Sequence, residues 1–389
     1  MVTILLFLII LSVLVFVHEF GHFITARLSG MKVYEFALGF PPRAFGVYKD
    51  PKTGKWKWIR GKGKSNLKKT VAGHEQEEEF PDTLYTFNWL PLGGFVRIKG
   101  ENGEFENEKD SFGYQKTWKK LVVLSAGVIM NFLLAGVLLG IGLIIGLPSD
   151  VTNLDDKHAI IVEAPSVIIQ QITNNSPADE AGFKFGDQIV RINDQDIVGT
   201  KEMIAYVQEQ GETALDVVIR REGEEAHLEV TPKTIEGEDT PRIGVSLVDA
   251  AVIRYPWYIA IPKGFVAAAK ATVQIVIAFY LLIKGLILGQ GLAFEVAGPV
   301  GIASIIGESA RLGLNYLINT AAMISLSLAV INILPIPALD GGRILFILIE
   351  KITGKKVPLK YEQFAHTIGF ALLMILIVVV TVRDVLGLF

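Results

Sequence analysis

The stretch VTILLFLIILSVLVFV, Val2–Val17, runs without a break into His18-Glu19-Phe20-Gly21-His22. Sixteen residues of almost pure Leu, Ile, Val and Phe followed by three ionisable groups decide the class of the fold. Val2–Leu28 holds no lysine and one arginine, Arg27, so it lacks the basic start and small-residue cleavage site of a secretory leader. It reads as a first transmembrane helix. Ionisable groups at the end of such a helix are costly and default to function, although polar residues can also mark the headgroup boundary.

Histidines four apart share one helix face and can grip a single Zn²⁺, while the glutamate beside them can deprotonate a water. A third protein ligand is needed. Cysteine is absent, which excludes disulfides, Cys-type zinc sites and thiol catalysis, and leaves His, Asp or Glu as donors. The natural candidate is a carboxylate isolated in another span. Asp340 is one: it follows Asn332-Ile333-Leu334-Pro335-Ile336-Pro337-Ala338-Leu339, where two prolines break a membrane helix and leave carbonyls that need a polar lining. Spacing alone also allows Asp340 to cap a helix. Asn332 reads either as a bridge between helices or as a donor to substrate backbone or oxyanion.

Outward from these motifs, the chain's 51% apolar and 20% charged residues, with mean hydropathy +0.43, are unevenly spread. Apolar runs at Leu121–Leu147, at Tyr316–Pro335 continuing past the prolines to about Ile349, and at Phe364–Val382 reach or approach the length of a span. Trp257–Gly289 has a charge-free core of only Ala271–Ile283, between Lys270 and Lys284, which fits a membrane-lying helix. Between Leu28 and Lys120 there are 17 Lys+Arg against 12 Asp+Glu, and between Pro148 and Pro256 there are 9 against 21. The connector Lys351–Glu362 carries four lysines and one glutamate. The positive-inside rule then places the first and last of these in the cytoplasm, with four spans and both termini outside. His18, His22 and Asp340 fall in one leaflet. The net charge of −3 suggests no nucleic-acid partner.

The paired motifs, H-E-x-x-H and Asn332-x-x-Pro335-x-Pro337-x-Leu339-Asp340-Gly341, resemble those of the site-2 proteases, intramembrane zinc metalloproteases. Pro91-Leu92-Gly93-Gly94-Phe95-Val96 is similar to that family's membrane β-loop. Ala126-Gly127-Val128-Ile129-Met130-Asn131-Phe132 is similar to its second-span motif, and Gly298-Pro299-Val300-Gly301-Ile302 to the stretch before its third span. Ser176–Ile189 resembles the core of bacterial PDZ domains. Pro177 would start a short helix and Gly182 and Gly186 would make tight turns before a strand. Two features depart from the family: the Gly-Phe-Gly-Pro turn reads Gly39-Phe40-Pro41-Pro42, and 47–82 is a charged insertion, read as a solvated hairpin or flexible loop, or else as a contact for anionic headgroups or a gate over the site.

The resemblance implies Zn²⁺ on His18, His22 and Asp340, Glu19 as general base and Asn332 as a substrate-stabilising residue. The expected fold is a polytopic α-helical membrane protein. It has four transmembrane helices, a membrane-associated helix, a membrane β-loop and one inserted α+β PDZ domain. The expected divisions are 1–147, 163–248 (PDZ), 257–293 (membrane-associated) and 316–389. Gly93, Gly94, Phe95 and Val96 are expected at the substrate, unless the glycines make only a tight turn. The expected PDZ groove strand is Ser166–Ile172, taking an extended peptide or C-terminus, with a filter against bulky substrates as the alternative. The expected partners are the lipid bilayer and single-span membrane proteins of the anti-sigma-factor or remnant-signal-peptide class, cut after a first extracytoplasmic cleavage. The expected location is the inner membrane, with the PDZ domain extracytoplasmic and the active site near the cytoplasmic leaflet. A non-catalytic PDZ scaffold or a metal transporter are the competing classes. The intact Glu19 speaks against both.

Overall fold

The structure is a computed structural model. It describes the chain apart from residues 1, 62–66, 70–74, 79, 104, 153–155, 163–164, 174–175, 185, 222, 235–239, 290–296, 356 and 387–389, and apart from the side chains of 67–69, 75–78 and 92. Glu163, Phe185, residues 290–293 and parts of the 47–82 insertion therefore lie outside the described residues. The chain forms two compact units, Met1–Leu139 with Pro262–Phe389, and Gly140–Ile261.

The first unit opens with α1 (Val2–Leu28) and a three-stranded sheet of β1 (Val33–Lys49), β2 (Trp56–Arg60) and β5 (Leu84–Ile98), in the order β2-β1-β5. Within the insertion, β3 (Leu67–Lys69) and β4 (Glu75–Glu78) form a separate ribbon. β1 and β5 each fold back on themselves, with tips near Gly39–Pro42 and Leu90–Gly93, so that they interleave. Ala37 faces both Phe95 and Thr86, and Phe87 faces both Leu38 and Phe45. Phe23 of α1 stacks on Phe36 while Phe16 and Phe20 meet it tilted and edge-on, and Ser12 Oγ donates to the Pro91 carbonyl at 2.6 Å. The second tip therefore lies along α1, a turn and a half before His18. The insertion starts by folding back on this sheet, with Val47 opposite Trp58 and Lys49 opposite Trp56. In its turn the Lys57 ammonium, 2.6 Å from Asp50, holds that carboxyl down at about 2.

After α2 (Thr117–Ile145), the second unit builds an eight-stranded sheet. It contains β6 (Leu147–Asp150), β7 (Ile160–Ile161), β8 (Ser166–Ile172), β9 (Gln188–Ile192), β10 (Gln195–Asp196), β11 (Leu215–Arg221), β12 (Glu224–Val230) and β13 (Val245–Arg254), with α3 (Pro177–Glu180) and α4 (Thr200–Gln210). Ser176 caps α3 through the Asp179 N–H, with Pro177 in its first turn. Val167, Ile169, Ile189, Ile192 and Met203 fill the core. The sheet is wider than 163–248, because β6 pairs with the far end of β13.

The expected groove strand is corrected. Ser166–Ile172 is β8, which is paired on both sides, with β9 and with β13. A strand with two neighbours has no free ladder for a third. The cleft beside α4, about 590 Å³, is bordered instead by Val245–Leu247 of β13 and by Met203, Ile204 and Val207 of α4.

The remaining helices are α5 (Trp257–Ile287), α6 (Pro299–Leu312), α7 (Leu314–Ile333), α8 (Asp340–Thr353) and α9 (Leu359–Leu386). Among the described residues α1, α2, α5, α7 and α9 are long and apolar enough to cross a membrane. One expectation changes. Trp257–Ile287 is one unbroken helix of 31 residues, about 46 Å at 1.5 Å per residue. Its lysines decorate it without interrupting it, so length no longer separates lying from crossing. The third apolar run is broken at its prolines into α7 and α8. α7 stops at Ile333 because Leu334, which precedes Pro335, is driven to φ −61°, ψ 144°.

Candidate metal centre

His18 and His22 lie one turn apart on the buried face of α1. α2 can close over them because residue 127 is glycine: a Cβ there would stand 2.5 Å from His22 Nε2 and 2.6 Å from His18 Cε1. The His22 Nδ1–H donates to the Val123 carbonyl of α2 at 2.8 Å, which leaves Nε2 as a lone-pair donor. His18 Nδ1 lies 3.5 Å from the Asn131 amide nitrogen, and Asn131 Oδ1 is buried with no hydrogen-bond partner among the described residues. Turning that amide over places Oδ1 at the ring N–H, the bond that a metal-bound imidazole asks for.

Asp340 comes from the proline-broken segment. It is the first residue of α8, after Leu339 at the cap, and its carboxylate caps nothing. Its Oδ2 stands 3.1 Å from His18 Nε2 and 3.3 Å from His22 Nε2, and the two Nε2 atoms are 3.2 Å apart. Three donors on a tetrahedral ion at about 2.0–2.1 Å are separated by about 3.3 Å. The triangle therefore has the edges of one face of a zinc tetrahedron, with the fourth position open.

Two cavities flank the triangle, one of about 360 Å³ and one of about 240 Å³, and Glu19, Leu339 and Asp340 line both. The smaller also touches Asn332, on the last turn of α7. The larger is lined by Phe95 and Val96. A Cβ on Gly94 would stand 3.7 Å from Glu19 Cγ, and one on Gly93 would stand 3.7 Å from Val15 Cγ1. Gly93 sits at φ 100°, the conformation of a turn. Residues 94–98 of β5 pair with β1 on one side and with no strand on the other, among the described residues. The candidate ligands, Glu19, Asn332, Phe95 and Val96 thus line one pair of cavities, and Gly93 and Gly94 lie beside Val15 and Glu19.

Three functional neighbours escape sequence reasoning. Arg343, one turn after Asp340, forms an ion pair with Glu101 beyond β5 at the wall of the larger cavity. Its signal was its spacing from Asp340. Asn131 lay inside a quoted motif without a role. His366, a histidine alone in an apolar helix, carried no local signal; its Nδ1 accepts from the Ala338 N–H.

Known proteins resemble this chain over most of its length. Residues 6–57 and 72–376 match Peptidase family M50. The Regulator of sigma-W protease RasP of Bacillus subtilis (strain 168) is 31% identical, covering 100% of this chain and 99% of the relative. Zinc metalloprotease RasP of Bacillus licheniformis is 29% identical, over 100% and 99%. Among solved structures, the PDZ domain of the SdrC-like protein from Listeria monocytogenes aligns over 23% of this chain and 93% of its own, at 19% identity and a TM-score of 0.21. The chain belongs to peptidase family M50 and is a polytopic zinc metalloprotease of the site-2 type.

Proposed function

We propose that this protease cleaves transmembrane segments of single-span membrane proteins at His18, His22 and Asp340, with Glu19 as the general base. The observation that carries the reading is the convergence of three zinc-type donors and a glutamate on cavities bordered by an open strand edge. Lewis-acid activation of water and of the scissile carbonyl is the chemistry zinc supplies when bound. Glu19 takes the proton of the attacking water and passes it to the leaving amine. Asn332, across the smaller cavity, holds the substrate backbone as charge develops.

A transmembrane helix hides its backbone in its own hydrogen bonds, so the substrate must unwind before it is cut. The edge 94–98 offers the freed backbone a partner, and Gly93 and Gly94 allow close approach. Loop charges support placing both termini and the inserted module outside, and the active site near the cytoplasmic leaflet. The module reads as a PDZ domain whose α4–β13 cleft takes a peptide or limits the size of what enters. RasP of Bacillus subtilis is described as a regulator of sigma-W. That supports a substrate of the anti-sigma-factor class, trimmed first on the outside; a remnant signal peptide has the same single-span chemistry. A non-catalytic scaffold has no use for a complete donor set, and a metal transporter has none for Glu19.

The test is Glu19→Gln. It should keep zinc and lose cleavage of a reconstituted single-span substrate. Full cleavage by that variant would overturn the reading.

A further inference from the structure

The turn that delivers Asp340 is held from outside itself. Ala338 stands at φ 81°, a left-handed conformation uncommon for an L side chain, two residues before the candidate ligand. Around it the turn bonds to itself: Ile336 N–H donates to the Leu334 carbonyl at 2.7 Å, and Leu339 N–H to the Ile336 carbonyl at 3.2 Å. The Ala338 N–H instead leaves the turn and donates to His366 Nδ1 of α9 at 2.7 Å. One helical turn along α9, Gly369 meets the same segment so closely that a Cβ would overlap the Pro337 carbonyl. Residues three apart share a helix face, so His366 and Gly369 seize Pro337 and Ala338 together. The His366 ring also lies against Phe346 of α8, with centroids 5.8 Å apart.

A histidine in an apolar helix carries a desolvation cost that asks for a role. Because Ala338 donates, Nδ1 must present its lone pair and the ring proton must sit on Nε2, which lies 4.0 Å from Glu362 Oε1. The ring is an acceptor for one strained peptide, and that peptide aims Asp340.

We propose that His366 is a positioning residue for the metal centre. By accepting the Ala338 N–H it locks the Pro335–Leu339 turn in the one conformation that brings the Asp340 carboxylate to His18 and His22. The proposal rests on those three residues holding zinc. It predicts a division of labour in α9: His366 and Gly369 serve the turn, while Asp384 near the other end of the helix accepts from the Gly298 and Gly301 N–H groups at the start of α6.

The experiment uses the full-length protein in detergent or nanodiscs, with His366→Phe, His366→Asn and Asp340→Ala. Zinc affinity is read by competition with a chelator, and ligand geometry by the visible bands of the Co²⁺-loaded protein. His366→Phe keeps the ring volume and removes the acceptor; it should lose about 10–100-fold in zinc affinity, as losses of supporting hydrogen bonds do, and shift the Co²⁺ bands. His366→Asn retains an acceptor oxygen and should restore both. Wild-type affinity and bands in His366→Phe would overturn the proposal, and so would a loss that asparagine does not rescue. Should His366→Phe fail to fold, Gly369→Ala probes the same turn from its other contact and should shift the Co²⁺ bands. Unshifted bands there would count against the proposal. If Asp340→Ala keeps its zinc, the metal assignment itself fails, which separates that failure from a failure of His366.

Discussion

Two stretches of backbone leave a strand edge open beside a cavity among the described residues, and they face different groups. Residues 94–98 of β5 border a cavity of about 360 Å³ lined also by Glu19, His22 and Asp340. Residues 245–247 of β13 pair with β8 on one side only, among the described residues, and border a cleft of about 590 Å³ against Met203, Ile204 and Val207. The larger space is the one without acid–base groups. A strand edge supplies recognition anywhere, because its donors and acceptors are the same in every sequence. What faces the edge decides whether recognition is followed by chemistry.

The sharpest way to break this contrast is at the metal. Asp340→Ala removes one corner of the triangle, and the two remaining imidazoles do not make a site. Bound zinc should fall to background and cleavage should be lost. Glu19→Gln leaves the triangle and removes the proposed base, so cleavage should fall by about 10²–10⁴-fold with zinc retained. Metal analysis beside a cleavage assay separates the two. Equal zinc in wild type and Asp340→Ala would remove Asp340 from the centre.

The next effect tests the β5 edge directly, and the absence of cysteine makes it clean. Phe95→Cys in a Glu19→Gln background places the one thiol of the chain at the cavity wall. Against a series of single-cysteine substrates, disulfide yield should alternate with a period of two along the cut segment, as strand pairing requires. A period near 3.6 would show that the substrate arrives still helical and does not pair there. At the β13 edge, Ile204→Asp puts a charge at a half-exposed position on the apolar wall that Met203, Ile204 and Val207 give the cleft. Cleavage of a substrate lacking an outer domain should change by less than about tenfold, since uniform binding is all that such a cleft can contribute. A larger loss would make the second edge part of the chemistry.

The contrast also explains what was legible in the chain. His18, Glu19 and His22 sit within one helical turn, so their spacing alone states their geometry. Asp340 could be paired with them because prolines 335 and 337 mark a broken span, and broken spans are lined by polar groups. The β13 edge was not legible: whether β8 or β13 is the free strand depends on which partners close from elsewhere in the chain, and alternation of Val167 and Ile169 states only which face is buried. The stop at Ile333 was visible in the proline rule, because Pro335 restricts the residue before it. His366 was beyond reach, because its meaning is a hydrogen bond to Ala338, and neither residue's neighbours announce it.

The smallest effect lies on the sheet's far side, in the β1–β2 turn, where nothing catalytic is at stake. Asp50 is held at about 2 by Lys57, against an ordinary 3.8. A carboxyl whose folded value is depressed stabilises the fold above its unfolded value and loses that contribution as pH falls through the folded one. The hairpin should therefore hold at 3.8 and above and loosen toward 2. Pepsin cleavage between Trp56 and Arg60 reads this: it should rise over that window in the wild type, while Asp50→Asn should be cut at both ends of it. Lys57 is half exposed, so the pair is screened by solvent and its loss stays local. Zinc content and cleavage of substrate at neutral pH should be unchanged in Asp50→Asn. A loss of activity there would mean that the insertion steers the β5 edge through β1, and that the two ends of the sheet are not independent.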